Sequence, residues 1–203
     1  MHYRAALFFD VGGVLLTNGW DTAARDRAIA RFGLDAHDFH TRHGMVKTAF
    51  ETGRLNLDQY LHRTVFCQPR GFKPAEFKEF MFEQSQELPG SLDYVRSLAT
   101  AGRYRVSALN NESLELNEYR IRRFHLDDVF LDFFSSCYLQ MVKPDEDIYR
   151  AMLAITRIRP EQAIFIDDRA VNVESALAAG YNAVRFLNLP QLRAHLAGLG
   201  ITP

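Results

Sequence analysis

Cysteines are few in this chain, long apolar runs are missing, and neither sign of charge is in excess. Two cysteines, Cys67 and Cys137, in 203 residues make neither a disulfide framework nor a zinc-ligand spacing. That usage fits a reducing compartment, most simply the cytoplasm. The uninterrupted apolar runs are only a handful of residues, far short of a membrane span. The segment from Met1 to Phe9 is too short, and turns polar too soon, to read as a signal peptide. Against 24 Lys and Arg stand 25 Asp and Glu, so no overall field draws the protein to nucleic acid or an anionic membrane. Repeats and low-complexity tracts are also missing. The expectation is a soluble intracellular protein, long enough for one domain plus a modest insertion.

What is present is a rhythm of short apolar runs and helical stretches. Ala5 to Phe9 is apolar throughout and stops at Asp10-Val11-Gly12-Gly13, as a strand covered on both faces does before a tight turn. Asp21 caps an expected helix from Thr22 to Phe32, with Gly33 as its left-handed stop. Helical stretches follow over roughly Ala36 to Thr52, Asn56 to Phe66 and Pro74 to Gln86, with no strand among them. After Pro89-Gly90 the pattern alternates: helix Ser91 to Thr100, strand Arg105 to Leu109, helix Leu114 to Phe124 and strand Phe133 to Ser136. Helix Asp145 to Ile155, strand Ala163 to Ile166, helix Val171 to Ala179 and strand Asn182 to Phe186 complete it. This alternation predicts an α/β fold, a parallel sheet with right-handed crossovers and a small all-helical insertion after the first strand. The expected division is residues 1–17 and 87–203 as the α/β core and 18–86 as the helical unit.

Ligands of such sheets bind beyond the carboxyl ends of the strands. The first strand ends at Asp10, the second at Asn110 and Asn111, and the fourth at Asp167 and Asp168, while Lys143 precedes Pro144 and a helix. Singly, each has an ordinary role as turn former, helix cap or surface lysine. Together they place carboxylates, an ammonium and two amides in one crevice. Clustered carboxylates repel one another and call for a cation. Oxygen ligands suit Mg²⁺, which takes one or two carboxylates and keeps room for water and a phosphate.

These residues, in this order, resemble the haloacid dehalogenase-like hydrolase superfamily over essentially the whole chain. The first motif is Leu7-Phe8-Phe9-Asp10-Val11-Gly12-Gly13-Val14-Leu15 and the second is Val106-Ser107-Ala108-Leu109-Asn110-Asn111. The third is Lys143 in Val142-Lys143-Pro144-Asp145, and the fourth is Phe165-Ile166-Asp167-Asp168 followed by Asn172. The resemblance implies a Rossmann-like three-layer sheet of order 5-4-1-2-3 and a C1-type helical cap. Phe50-Glu51-Thr52-Gly53-Arg54-Leu55 with Tyr60 looks like the cap segment that reaches the active site. It further implies a magnesium-dependent phosphatase of a small organic phosphomonoester. Asp10 would be the nucleophile, with Mg²⁺ on Asp10, the Gly12 carbonyl and Asp167. Lys143, Asn110 and Asn111 would hold the phosphate, and Asp168 and Asn172 would order the metal's surroundings.

Two departures stand out. The family's phosphatases usually carry Asp two residues after the nucleophile as general acid and base, whereas here that place is Gly12. A positioned proton-transfer group is typically worth ~10²–10⁴-fold, so Gly12→Asp is expected to raise turnover on poor leaving groups. Asn110 stands where Ser or Thr is usual. The alternatives are a haloacid-type dehalogenase using the same nucleophile without metal, and a catalytically impaired binding protein of the same fold.

Smaller readings complete the set. His37, His40 and His43, three apart, read as a solvated helix surface rather than a metal site. Arg42, Lys47 and Arg54 read as exposed helix charges, and Trp20 as a packing residue or a pocket wall. Phe77, Phe80 and Phe82, like Phe130, Phe133 and Phe134, are expected in the core. The protein is expected as a monomer or homodimer.

Overall fold

The computed structural model describes residues 3–203. Met1 and His2, which belong to the expected core segment 1–17 and to the N-terminal stretch weighed as a leader, lie outside the described residues.

The apolar run becomes β1 (Ala5–Phe9), buried along its whole length. It lies at the centre of a five-stranded parallel sheet of order β3-β2-β1-β4-β5, with β2 Tyr104–Asn110, β3 Phe133–Ser135, β4 Ala163–Asp167 and β5 Asn182–Arg185. Read from the other edge, this is the expected order 5-4-1-2-3. A strand with neighbours on both edges and helices on both faces has no solvated side, which is why β1 does not alternate with polar residues.

Side chains along β1 do alternate between two cores. Leu7 and Phe9 pack with Leu92, Val95 and Leu98 of α5 (Ser91–Thr100) and Leu192 and Leu196 of α10 (Leu189–Gly198). Ala6 and Phe8 pack with Ile148, Tyr149 and Met152 of α8 (Glu146–Thr156) and Ala176 of α9 (Ala170–Ala178). Burying one such large side chain is worth about 1.5–3 kcal/mol.

The register matters most for function. Phe9 pairs with Ala108 of β2 and Ile166 of β4, so the next residues along, Asp10, Leu109 and Asp167, stand level at one end of the sheet.

The helices α1 (Thr22–Phe32), α2 (Ala36–Glu51), α3 (Leu57–Thr64) and α4 (Pro74–Glu83) share a cluster that includes Trp20, Phe39, Phe50, Tyr60, Phe77 and Met81. Asp21 accepts from the Ala24 amide as the N-cap of α1, and Gly33 ends that helix with φ 60°. The turn between α2 and α3 lies against the sheet unit. Gly53, at φ 69°, passes so close to the Cys137 carbonyl that a Cβ there would stand 2.7 Å from it. Ser136 Oγ donates to the Glu51 carbonyl at 2.6 Å, and the Leu57 amide donates to Glu115 Oε1 at 2.9 Å.

Three elements differ from the sequence reading. α4 stops at Glu83 instead of reaching Gln86, because the following backbone pairs with Thr17. Thr17 Oγ1 donates to the Gln84 carbonyl, and the Thr17 amide to the Gln86 carbonyl. A short α7 (Ser136–Leu139) follows β3, and α10 extends the chain beyond the last strand. The signals for α10 were Asn188, which caps it by accepting from the Gln191 amide, and the spacing of Leu189, Leu192 and Leu196. α6 (Leu114–Phe124) falls where expected.

Candidate active site

Asp10 follows β1 and continues its ladder by donating its amide to the Ile166 carbonyl at 2.8 Å. Its Oδ1 accepts from the Val11 amide at 2.7 Å, and its Oδ2 lies 3.1 Å from Lys143 Nζ. Lys143, 4% exposed, also donates to Asp167 Oδ2 at 2.7 Å and to the Leu109 carbonyl at 2.9 Å. One ammonium thus bridges two strand ends that the register holds level.

The carboxylates of Asp10, Asp167 and Asp168 offer oxygens within 4.8 Å of one another. Asp167 is fully buried and accepts from the Arg169 amide at 2.8 Å and from Asn172 Nδ2 at 3.0 and 3.1 Å. Gly13, at φ 75°, lets the loop after β1 press on Asp168, for a Cβ there would stand 2.5 Å from its carboxylate. Asp168 Oδ1 is buried and has no hydrogen-bond partner among the described residues.

Charge follows geometry. Burial lifts the Asp10 carboxyl; Lys143 pulls it back and Asp167 pushes it up again, so it stands raised to about 7. Asp168 is raised as well, by burial first and then by Asp167. Burial alone would lower Lys143, but Asp10 and Asp167 outweigh it and raise its pKa, so the ammonium is held charged. Lys143, with Arg169 acting on Asp168, is set against three carboxyl groups, of which burial and mutual repulsion keep Asp10 and Asp168 from ionising freely. Together with the unpartnered oxygen of Asp168, this donor set fits a hard divalent cation.

The two asparagines are engaged differently. Asn110 is buried, donating to Asn117 Oδ1 at 3.0 Å and accepting from Ser135 Oγ at 2.7 Å. Asn111 clasps the Lys143 backbone, accepting from its amide at 2.9 Å and donating to its carbonyl at 2.8 Å. Asn111 lines the cavity described next.

A cavity of about 380 Å³ opens over the strand ends, bordered on one side by Asp10, Gly12, Lys143 and Asn172 and on the other by Arg25, His43, Lys47 and Phe50. That size is ordinary for a small-molecule site. A second concavity, about 600 Å³, lies among Arg31, Phe72 and Glu76, away from the carboxylates.

Two features went unread in the sequence. Glu112 and Arg120 form a buried ion pair of 2.9 Å on the cavity wall beside Gly12. Arg120 also donates to Ser85 Oγ at 3.0 Å and to the Thr17 carbonyl at 3.1 Å, holding both chain crossings to the helices. His43 is not on a solvated surface with its neighbours: it is 7% exposed, whereas His40 meets Asp26 near solvent and His37 is exposed. The spacing Phe39, His43, Val46, Phe50 is the apolar stripe of α2, and that was the available signal. Lys47 and Trp20 line the cavity, Arg42 pairs with Asp38 at 2.8 Å, and Arg54 is exposed.

A parallel sheet ending in a carboxylate–lysine crevice, with a helical unit over it, defines a hydrolase of the phosphate- or halide-displacing type. The chain belongs to the haloacid dehalogenase-like hydrolase family, whose family model matches residues 5–180. It is 30% identical over 193 residues to flavin mononucleotide hydrolase 1, a chloroplast protein of Arabidopsis thaliana, covering 93% of this chain and 78% of that one. Its fold is similar to that of a haloacid dehalogenase family enzyme of Bacteroides thetaiotaomicron solved with magnesium and inorganic phosphate. There the TM-score is 0.75 at 18% identity, over 89% of this chain and 93% of that one. A dehalogenase is also similar in fold, with TM-score 0.65 at 21% identity over 92% and 86% of the two chains.

Proposed function

We propose that this hydrolase is a magnesium-dependent phosphatase of a small organic phosphomonoester, with 1–17 and 87–203 as its core and 18–86 as its cap. The observation that carries the reading is the buried bridge of Lys143 between Asp10 and Asp167, beside the unpartnered Asp168 oxygen. A carbon–halogen displacement has no use for three converging carboxylates; a phosphoryl dianion brought in with a divalent cation does. The activity named for the Arabidopsis relative is of the same class, which makes flavin mononucleotide a first substrate to try.

Asp10 would hold Mg²⁺ with the Gly12 carbonyl and Asp167, and the ion would supply positive charge for the transferring phosphoryl group. A carboxylate oxygen of Asp10 attacks phosphorus as the bond to the leaving oxygen breaks, and the leaving oxygen takes its proton from solvent, to which the water of the second step later returns one. Water then attacks the aspartyl-phosphate, losing a proton, and frees Asp10 and inorganic phosphate. Lys143 keeps Asp10 aligned and pairs with phosphoryl oxygens. Asn111 fixes the Lys143 backbone with its side chain, and its backbone amide would hydrogen-bond the phosphate. Asn110 acts through its backbone position, because its side chain is tied to Asn117 and Ser135. Asn172 orients Asp167, and Asp168 would order water on the ion once it is bound.

The test is a panel of phosphate esters and haloacids with and without Mg²⁺. Phosphate release should require the metal and vanish with EDTA, and Mg²⁺ should raise the melting temperature of the wild type more than that of Asp167→Asn. Halide release that survives EDTA, without phosphate release, would establish the dehalogenase instead.

The surroundings of Gly12 revise what a carboxylate there should do. A Cβ would stand 3.1 Å from Asn18 Oδ1 and 3.6 Å from Arg120 Nη1, so the loop accepts it with a small shift of Asn18. Beside that guanidinium the new carboxylate stays ionised. It therefore serves as base to water rather than acid to the leaving oxygen. Gly12→Asp should speed dephosphorylation on p-nitrophenyl phosphate, seen as a smaller pre-steady-state burst, and leave poor leaving groups little changed. A larger gain on poor leaving groups would show that the carboxylate is protonated in place.

A further inference from the structure

On the cap side of the cavity two buried side-chain nitrogens, Arg25 Nε and His43 Nε2, have no hydrogen-bond partner among the described residues. Tyr60 is fully buried, its hydroxyl 2.9 Å from Trp20 Nε1 and 2.9 Å from His43 Nδ1. An indole N–H can only donate, so the Tyr60 oxygen accepts from Trp20, and the arrangement that satisfies both Tyr60 and His43 Nδ1 turns the Tyr60 proton to His43. His43 Nδ1 is then the acceptor, and the ring proton sits on Nε2. Burial first, then Arg25 and Lys47, lower the imidazole pKa to about 3, so the ring is neutral. Nε2 is buried and has no partner among the described residues. Arg25 repeats the pattern: Nη1 donates to the Trp20 carbonyl at 2.6 Å and Nη2 to Thr22 Oγ1 at 3.0 Å, while Nε is buried and unpartnered. Both residues line the cavity, flanked by Trp20 and by Phe50, which stacks on Tyr60 at 4.1 Å.

Donors left without acceptors in a buried wall cost stability unless a ligand completes them. We propose that His43 Nε2 and Arg25 Nε form a leaving-group subsite for an uncharged acceptor, a carbonyl oxygen or ring nitrogen, on a planar group lying along Phe50 and Trp20. The charges select against a second anion: Arg25 and Lys47 on this wall face Asp21 and Glu51 there, so the wall is balanced. The subsite rests on the phosphatase reading and names its substrate class.

The test compares the Mg²⁺-loaded enzyme on flavin mononucleotide and uridine 5′-monophosphate with ribose 5-phosphate, which lacks a planar acceptor. The wild type should prefer the first two in kcat/KM. His43→Phe should reduce that preference by roughly 3–10-fold, mostly through KM, the worth of one neutral hydrogen bond. His43→Gln, which places an amide N–H near Nε2, should recover part of it. No preference in the wild type, or equal losses on all three esters, would overturn the subsite. Calorimetric binding of the same esters to Asp10→Asn reads the subsite without turnover. A binding preference without any wild-type hydrolysis would sink the phosphatase reading and spare the subsite. Imidazole nitrogen NMR at pH 7 should show His43 neutral with its proton on Nε2; the other tautomer, or an imidazolium, would overturn the proposal.

Discussion

Asp10→Asn should fold, keep or raise the melting temperature of the metal-free protein, and lose phosphate-ester turnover by on the order of 10⁴-fold or more. The two halves of this expectation come from one geometry. Asp10 sits almost wholly out of water, 3.1 Å from an ammonium that Asp167 already holds at 2.7 Å. Ionising it there is opposed by burial and by Asp167, and its neighbours are arranged for reaction rather than for stability. The amide removes a crowded charge while Lys143 keeps Asp167 as partner. Its single oxygen goes on accepting from one of the two donors, the Val11 amide or Lys143, that the carboxylate served together, and the lost charge offsets the lost bond. It also removes the only oxygen nucleophile at that place. Differential scanning fluorimetry and a phosphate-release assay on the same preparation decide it. A large fall in melting temperature would mean that Asp10 is a structural counter-ion of Lys143, and lost activity would then carry no mechanistic meaning.

The largest loss of stability should come from Arg120→Met. This guanidinium is buried against Glu112 at 2.9 Å and also binds Ser85 Oγ and the Thr17 carbonyl. Removing it strands the Glu112 carboxylate in a site where burial already raises its pKa, with only Arg120 and Ser113 set against that. Breaking such a pair from one side typically costs about 3–5 kcal/mol, on the order of 10 °C in a protein of this length. Arg120→Met with Glu112→Gln should recover a good part of the loss, because no uncompensated charge remains. Urea titrations of the single and double variants measure the difference. Equal destabilisation of the two would place the cost in the contacts to Thr17 and Ser85 instead of in the ion pair.

The sheet was open to sequence reading because its strands are short, apolar and separated by well-punctuated helices; Gly33, Gly102 and Gly180 fall where those helices end. The order of the strands came through the family motifs and not from periodicity, which cannot rank parallel strands. The strand-end residues were legible for the same reason that they sit together: register carries whatever follows Phe9, Ala108 and Ile166 to one level, and Asn110 and Asn111 come next along β2 at that same end. The cavity's other wall was not legible. Glu112 and Arg120 look like ordinary helix-start and helix-surface charges until the fold brings Thr17 and Ser85 beside them. His43 was read with His37 and His40 because all three share a spacing, but a rotation of 100° per residue spreads such a series across the helix surface. Only the last of them turns inward, with Phe39 and Phe50.

The Gly53 turn sets how closely the helices come to the sheet. With its backbone against the Cys137 carbonyl, and with Glu51 and Leu57 hydrogen-bonded to Ser136 and Glu115, the turn between α2 and α3 is latched onto the sheet unit. A side chain at position 53 would push the turn off that carbonyl, so how near α2 and α3 stand to the strand ends depends on a residue that has none.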